Sequence, residues 1–463
     1  MNYRFLALVT ALMGASPSSQ AAPPTDRPNI LFIVADDMGY ADAGFQGCKD
    51  IPTPNIDALA TASVRFTSGY VSGPYCSPTR AGLLTGRYQQ RFGHEFNVVG
   101  GSSGLPLTET TLADRLKAVG YHTGLVGKWH LGGIPDMIPQ KRGFMDFYGF
   151  IGGEHSYTDY NAMLRGTTPE QSLDYATDAF AREAVAFIET QKGGPWFLYL
   201  AFNAVHTPLQ ATPERLAMVS SITNPERRKY AAMMIALDDA IGTVRQKLVD
   251  SDQEKNTLVC FVSDNGGPTM PGTTMNGSSN APLRGSKRTT LEGGIRVPFL
   301  ISWKGKLEPK TYDQPVIQLD LNTTALCAAG VDLKPEWQLD GVNLIPFLTE
   351  DKSKQPHDAL FWRLGQQMAI RVGDYKLVRY DQNADTRTGR DQPPTPPRLY
   401  HLGNDISENH DLASKQPEKL KELQSKWDAW SGTLAKPLWG GGNTDSDGPE
   451  PAAPKKKLKK TKP

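Results

Sequence analysis

The sequence predicts an α/β fold: a large, mostly parallel sheet flanked by helices, followed by a smaller C-terminal antiparallel-sheet α+β subdomain. Three observations carry this reading. Apolar strands alternate with helical stretches from Asn29 to Trp303, the pattern of a helix-flanked parallel sheet. The first strand, Asn29-Ile30-Leu31-Phe32-Ile33-Val34-Ala35, is continuously apolar, as a strand covered on both faces must be. Beyond about Gly341 the strands shorten and are separated by turns.

Met1 to Ala22 comes first. Arg4, the apolar run Phe5 to Met13 and the small residues around Ser19-Gln20-Ala21 make the three parts of a cleavable export signal. That run is too short to span a bilayer, and no later run is long enough. The expected mature protein is exported, periplasmic or secreted, with no transmembrane segment. The strand from Asn29 ends in Asp36-Asp37, and Pro54 to Ser63 reads as a helix. Ser77 before Pro78 reads as an N-cap with proline at the first helical position. That helix runs to about Thr85, where Gly86 stops it. Thr110 to Val119 is a helix stopped by Gly120, and Thr123 to His130 a second strand. Leu173 to Gln191 is amphipathic and helical, and Trp196 to Phe202 is a third strand leading to His206. Pro225 to Asp250 is the longest helix. Thr257 to Ser263 is a fourth strand ending in Asp264-Asn265, and Val297 to Trp303 is a fifth. Leu360 to Arg363, Met368 to Val372 and Tyr375 to Tyr380 are short strands, and Pro417 to Ser431 is a helix. The expected units are a signal peptide over 1–22, the main α/β domain over 23–340, a C-terminal subdomain over 341–439 and a disordered Lys-rich tail over 440–463.

The 50 Lys and Arg against 49 Asp and Glu leave a formal charge of +1, so no global field argues for nucleic acid. The four cysteines, Cys48, Cys76, Cys260 and Cys327, have no zinc-site spacing. Cys260 lies inside an apolar strand and reads as core.

Chemistry gathers at strand ends, where open α/β sheets bind ligands. Asp36-Asp37 and Asp264-Asn265 are hard oxygen donors, suited to calcium or magnesium rather than zinc. Either pair alone reads first as a cap or turn former; two pairs at one sheet edge favour a metal. Cys76 sits at a helix N-terminus, where free N–H groups and the helix dipole favour an anion, and Arg80 can fold back toward it. A buried structural cysteine fits the same local pattern. Lys128 and His130 are two apart on a predicted strand, so both are expected on one face, able to grip an oxyanion.

The string Cys76-Ser77-Pro78-Thr79-Arg80, continued by Ala81-Gly82-Leu83-Leu84-Thr85-Gly86-Arg87, resembles the signature of the type I sulfatases, in the alkaline phosphatase superfamily. Gly127-Lys128-Trp129-His130-Leu131-Gly132 is similar to a second motif of that family. A third is approached by Lys287 ahead of Glu292-Gly293-Gly294-Ile295-Arg296-Val297-Pro298. The resemblance implies the alkaline phosphatase/sulfatase-like fold for the main domain. It implies that Cys76 is oxidised to formylglycine by a maturation enzyme, and that the hydrate attacks sulfur to give a covalent sulfo-enzyme. It implies calcium, ahead of magnesium, on Asp36, Asp37, Asp264 and Asn265 together with the converted Cys76. It makes Arg80, Lys128 and Lys287 sulfate-binding cations, His130 a partner of the nucleophile and His206 a substrate-side histidine. Conversion of Cys76 would leave three cysteines, so at least one unpaired.

The expected activity is hydrolysis of sulfate monoesters on a sulfated polysaccharide or oligosaccharide. A phosphonate or phosphodiester hydrolase of the same superfamily and a non-catalytic carbohydrate-binding relative are the alternatives. Loop residues His94, Glu95, His155 and Arg288 are candidate substrate contacts, with packing and turn formation an equal reading for the loops of the first three.

Overall fold

Asn29–Ala35 lies at the middle of a ten-stranded sheet in the computed structural model, which describes residues 27–100, 103–271, 274–349, 355–384 and 393–440. Its even positions Ile30, Phe32 and Val34 pack on one helical layer, and Leu31, Ile33 and Ala35 on the other. That two-sided burial is why the strand has no polar alternation. Five strands run parallel in the order Thr257–Ser263, Asn29–Ala35, Trp196–Ala201, His122–Lys128 and Asp146–Phe150. Ala176–Thr190 and Pro225–Asp250 cover one face, and Cys76–Thr85, Leu112–Ala118 and Leu319–Ala328 contribute to the other.

The fifth expected strand is present as Phe299–Ser302 but runs antiparallel to Thr257–Ser263. The edges are short strands: Val64–Phe66 and Lys310–Tyr312 on one side, Leu164–Arg165 and Thr168–Pro169 on the other. A separate antiparallel sheet holds Leu360–Leu364, Gln367–Val372, Tyr375–Arg379 and Arg398–His401 in chain order. The helix Pro417–Ser431 packs on it through Leu423 and Trp427. The expected signal peptide and all of the expected tail except Gly440 lie outside the described residues.

Two local expectations change. The helix behind Cys76 is Cys76–Thr85, with Tyr75 rather than Ser77 at the N-cap and Gly86 closing it at φ 73°. Tyr75 gives no side-chain cap; Asn97 Oδ1 instead accepts from Ser77 N at 3.0 Å, freeing the Ser77 hydroxyl for His94. The second strand ends at Lys128, so His130 is not a strand residue. It takes φ 57°, a left-handed conformation uncommon outside glycine. The two side chains therefore reach the site by different routes, not from one strand face.

Candidate active site

Every expected metal and nucleophile position lies at the carboxyl edge of the parallel strands. In-register pairing of Ala35 with Ser263 brings Asp36-Asp37 beside Asp264-Asn265. The parallel strand on the other side of Asn29–Ala35 leads to His206, whose loop is tied back by Asp36 N to Ala204 O and Val205 N to Asp36 O. Gly127 lets Lys128 arrive from the next strand, because a Cβ there would lie 1.9 Å from Ala201 O.

Three carboxylates face three cations in this buried edge. Lys128 Nζ donates to Asp36 Oδ2 at 2.6 Å and Lys287 Nζ to Asp37 Oδ2 at 2.9 Å. Arg80 donates through Nε and Nη2 to Asp264 Oδ2, at 3.0 and 2.8 Å. Burial works against charge on Asp36, but Lys128, His206 and Arg80 together hold it below the usual carboxylate range. Burial and the neighbouring Asp36 push Asp264 up, against Arg80.

Those crowded carboxylates fit a cation. Asp36, Asp37, Cys76 and His206 offer ligand atoms within 4.8 Å of one another. Asn265 Nδ2 donates to Asp37 Oδ1 at 2.6 Å, while its Oδ1 is buried without a partner among the described residues. An oxygen acceptor left dry beside carboxylates is what a hard dication would satisfy. With the side chains already balanced, such an ion would give the pocket a net positive charge for an oxyanion.

Cys76 Sγ lies 3.8 Å from Asp36 Oδ1. Burial pushes its thiol up to about 12, with Asp264 and Asp36 adding to the shift and Lys128 and Lys287 opposing it. The encoded thiol therefore stays protonated and is a poor nucleophile. Burial, with Lys128, Arg80, His206 and His94 beside it, holds the His130 imidazole well below its ordinary value, so the ring rests neutral. His206 Nδ1 lies 2.7 Å from Thr207 O, which fixes a proton there and turns Nε2 toward Lys287 Nζ, 3.3 Å away.

Of the four candidate substrate contacts, His94, Glu95 and His155 are engaged by packing partners and Arg288 lies beside Cys76. His94 is fully buried, with Nε2 2.6 Å from Ser77 Oγ and its ring edge-on to Trp439. Glu95 is buried in an ion pair with Arg363, at 2.7 Å, and also accepts from Gly365 N. His155 places its two ring nitrogens 2.6 Å from Ser156 O and Asn161 O. All three have packing partners, the reading that was equal at the level of sequence. Arg288 differs: its guanidinium lies over the Tyr75 ring and donates to Tyr75 OH at 2.7 Å, beside Cys76.

Sequence reasoning missed the residues that hold this edge together. Asn276 Nδ2 donates to Asp37 O and to Val205 O, joining the metal loop to the His206 loop. Asn280 accepts from Gly267 N and Tyr40 N and donates to Gly267 O and Gly285 O. Gln318 accepts from Ser72 N and donates to Ser72 Oγ, bracing the loop before Cys76. Only the Gly/Ser/Asn-rich character of Met275 to Asn280 signalled a structured loop.

A helix-flanked parallel sheet with carboxylates, cations and imidazoles gathered around one side chain at a helix N-terminus defines a hydrolase of anionic esters. The chain belongs to the sulfatase family: residues 28–331 match the family described as Sulfatase, and 285–426 match N-sulphoglucosamine sulphohydrolase, C-terminal. It is 34% identical to arylsulfatase A of Bos taurus, over 90% of this chain and 87% of that protein. It is 31% identical to N-acetylgalactosamine-6-sulfatase of Sus scrofa, over 90% of this chain and 87% of that protein. The crystal structure of Ps i-CgsB in complex with k-i-k-neocarrahexaose matches with a TM-score of 0.83 at 36% identity, over 90% of this chain and 96% of that one. The protein is a sulfuric ester hydrolase of the alkaline phosphatase superfamily.

Proposed function

We propose that the protein removes O-sulfate groups from a sulfated polysaccharide or oligosaccharide outside the cytoplasm, using Cys76 converted to formylglycine and one calcium ion. The observation that carries the proposal is the buried cluster of Cys76 with Asp36, Asp37, Asp264 and Asn265, ringed by Arg80, Lys128 and Lys287. The carbohydrate class is supported by relatives named for an amino-sugar sulfate and crystallised with a neocarrahexaose. The export pattern over Met1 to Ala22 supports the location.

Asp36, Asp37, Asp264 and Asn265 would hold calcium, which when bound supplies Lewis acidity and a template for the sulfate oxygens. Conversion of Cys76 by a maturation enzyme replaces a protonated thiol with an aldehyde hydrate; one of its hydroxyls attacks sulfur while a neighbouring carboxylate such as Asp37 takes its proton. Arg80, Lys128 and Lys287 bind sulfate oxygens and hold the charge that develops at sulfur. His206 and Lys287 pass a proton to the leaving alcohol as its S–O bond breaks. His130 takes the proton of the remaining hydroxyl as the C–O bond to sulfate breaks and the aldehyde re-forms. Water adding to the aldehyde restores the starting state.

Protein produced with the maturation enzyme should give a Cys76 peptide about 18 Da lighter than the encoded one, as thiol-to-aldehyde oxidation requires. It should release sulfate from one or more members of a sulfated oligosaccharide panel. Full activity with unconverted Cys76, or faster turnover of a phosphodiester than of every sulfate ester, would overturn the proposal.

A further inference from the structure

The segment Gly153 to Tyr157 touches both histidines of the site. We propose that Gly153 and Tyr157 are positioning residues, Gly153 for the ring of His130 and Tyr157 for the loop that carries His206. This rests on the roles given above to those two histidines.

The Gly153 contact is steric. A Cβ built on Gly153 would lie 2.6 Å from His130 Nε2, 2.8 Å from Cε1 and 3.1 Å from Cδ2, so the glycine is pressed against one edge of the imidazole. The other ring nitrogen, Nδ1, is buried without a hydrogen-bond partner among the described residues. Packing therefore sets the ring orientation where that nitrogen gives no hydrogen-bonded anchor. The backbone on both sides is fixed. Trp129 N donates to Phe150 O at 3.1 Å and His130 N to Ile151 O at 3.0 Å, which continues the pairing of Lys128 with Phe150. A side chain at position 153 would therefore meet the imidazole, on a chain paired as far as Ile151.

The Tyr157 contact is polar. Its fully buried hydroxyl faces Asn203 O at 2.6 Å and His206 O at 2.9 Å. Asn203 O also accepts from His206 N at 2.9 Å, so the phenol closes the turn that presents the imidazole. Tyr157 is itself held, through its backbone N–H to Gln210 Oε1 at 2.7 Å. Asn203 Nδ2 reaches back to His155 O at 3.4 Å, a second tie between the two loops.

The two histidines act at different moments, which separates the contacts experimentally. Protonation by His206 matters for a sugar alcohol and hardly at all for a phenol that leaves as its anion. Tyr157→Phe should lower kcat/KM on a sulfated oligosaccharide by roughly 10–100-fold and leave 4-nitrophenyl sulfate nearly unchanged. Gly153→Ala acts on sulfate release, a step common to both substrates. It should lower kcat on both by roughly 10-fold or more, with KM held or reduced. Thermal melting gives a readout independent of turnover. Gly153→Ala should lower Tm beside His130 and cost nothing when added to His130→Ala, because the clashing ring is gone. If Gly153→Ala does not fold alone, folding of the double variant supports the contact. Equal losses on both substrates for Tyr157→Phe would overturn its role. Additive melting effects, or normal kcat for Gly153→Ala where His130→Ala is crippled, would overturn that of Gly153 and leave the histidine assignments standing. Normal kcat in His130→Ala would instead defeat the reading on which the inference rests.

Discussion

Each cation of the centre neutralises a particular buried carboxylate, so substitutions there change stability and chemistry together. Lys128 and Asp36 are both fully buried and 2.6 Å apart. Lys128→Ala leaves Asp36 with only Arg80, at 3.6 Å, and more distant charge around it. A buried pair broken on one side costs about 3–5 kcal/mol, and loss of a transition-state cation about two to four orders of magnitude in kcat/KM. Calcium should recover part of the stability but not the rate, because a dication replaces the missing counter-charge without replacing the sulfate ligand. Urea titrations with and without calcium check this, and equal midpoints would refute it. Asp264→Ala is expected to lose bound calcium and nearly all turnover; stoichiometric calcium in that variant would remove Asp264 from the ligand set. The acids and cations of the centre were legible because they follow strand ends and motif strings. The loop of Gly153 and Tyr157 was legible as a packing or sugar-contact loop, but its particular partners, and those of Asn276, were not, because each lies far along the chain. The shared face expected for Lys128 and His130 failed because periodicity cannot show that a strand stops two residues early and turns left-handed.

Elements are joined here by side chains that satisfy another element's loose ends. The helix Pro54–Thr61 has no side-chain cap from Thr53. Asp238, in the middle of Pro225–Asp250, supplies it: its carboxylate accepts from Ile56 N at 2.8 Å, Asn55 N at 3.0 Å and Asn55 Nδ2 at 2.8 Å. A carboxylate at a helix N-terminus meets both free N–H groups and the positive end of the dipole. Asp238→Ala should therefore lower stability by about 1–3 kcal/mol with kcat and KM unchanged, measured by urea denaturation and steady-state assays. Asp238→Asn, which keeps the acceptor, should recover most of the loss; no recovery would make packing the cause. The elements themselves were largely readable. Thr257–Ser263, Pro225–Asp250 and Pro417–Ser431 fall where apolar runs, prolines and breakers place them. The antiparallel direction of Phe299–Ser302 was not readable, since an apolar run carries no arrow. Strands three residues long, such as Val64–Phe66, are too short to show a period.

At the scale of the molecule, the C-terminal sheet is bound to the short helix Glu292–Ile295, just beyond Lys287, by a buried ionic cluster. Lys376, on the strand Tyr375–Arg379, lies 2.9 Å from Glu292 and 3.0 Å from Glu408. Glu292 also takes the Tyr70 hydroxyl at 2.6 Å and Arg296 at 3.2 Å, and Arg371, on the C-terminal sheet, bonds Tyr70. Glu408 accepts from Glu292 N at 2.7 Å, and its own carbonyl takes Arg284. One ammonium thus serves two carboxylates, and they shift apart. Burial opposes charge on Glu292, but Lys376, Arg296 and Arg371 outweigh it and hold the group at about 2. Burial, with Glu292 adding, pushes Glu408 up to about 7 against the pull of Lys376. The ordinary value for both is 4.5, which fixes the signs. Glu292 contributes stability that is present above pH 4.5 and lost as pH falls toward 2. Glu408 stays protonated in the folded state while the unfolded chain ionises, so stability is lost as pH rises from 4.5 to 7. The contribution of the pair is therefore greatest near pH 4.5 and falls on both sides. Glu408→Gln keeps the acceptor for Glu292 N and cannot ionise, so it should erase the falling limb above pH 4.5 and leave the acid limb in place. Denaturant titrations at pH 4.5, 5.5 and 7 should show the variant gaining on the native protein with pH, by on the order of 1–3 kcal/mol at pH 7. A constant difference across that range would mean that Glu408 carries its charge throughout, and that this contact of the C-terminal sheet does not depend on pH.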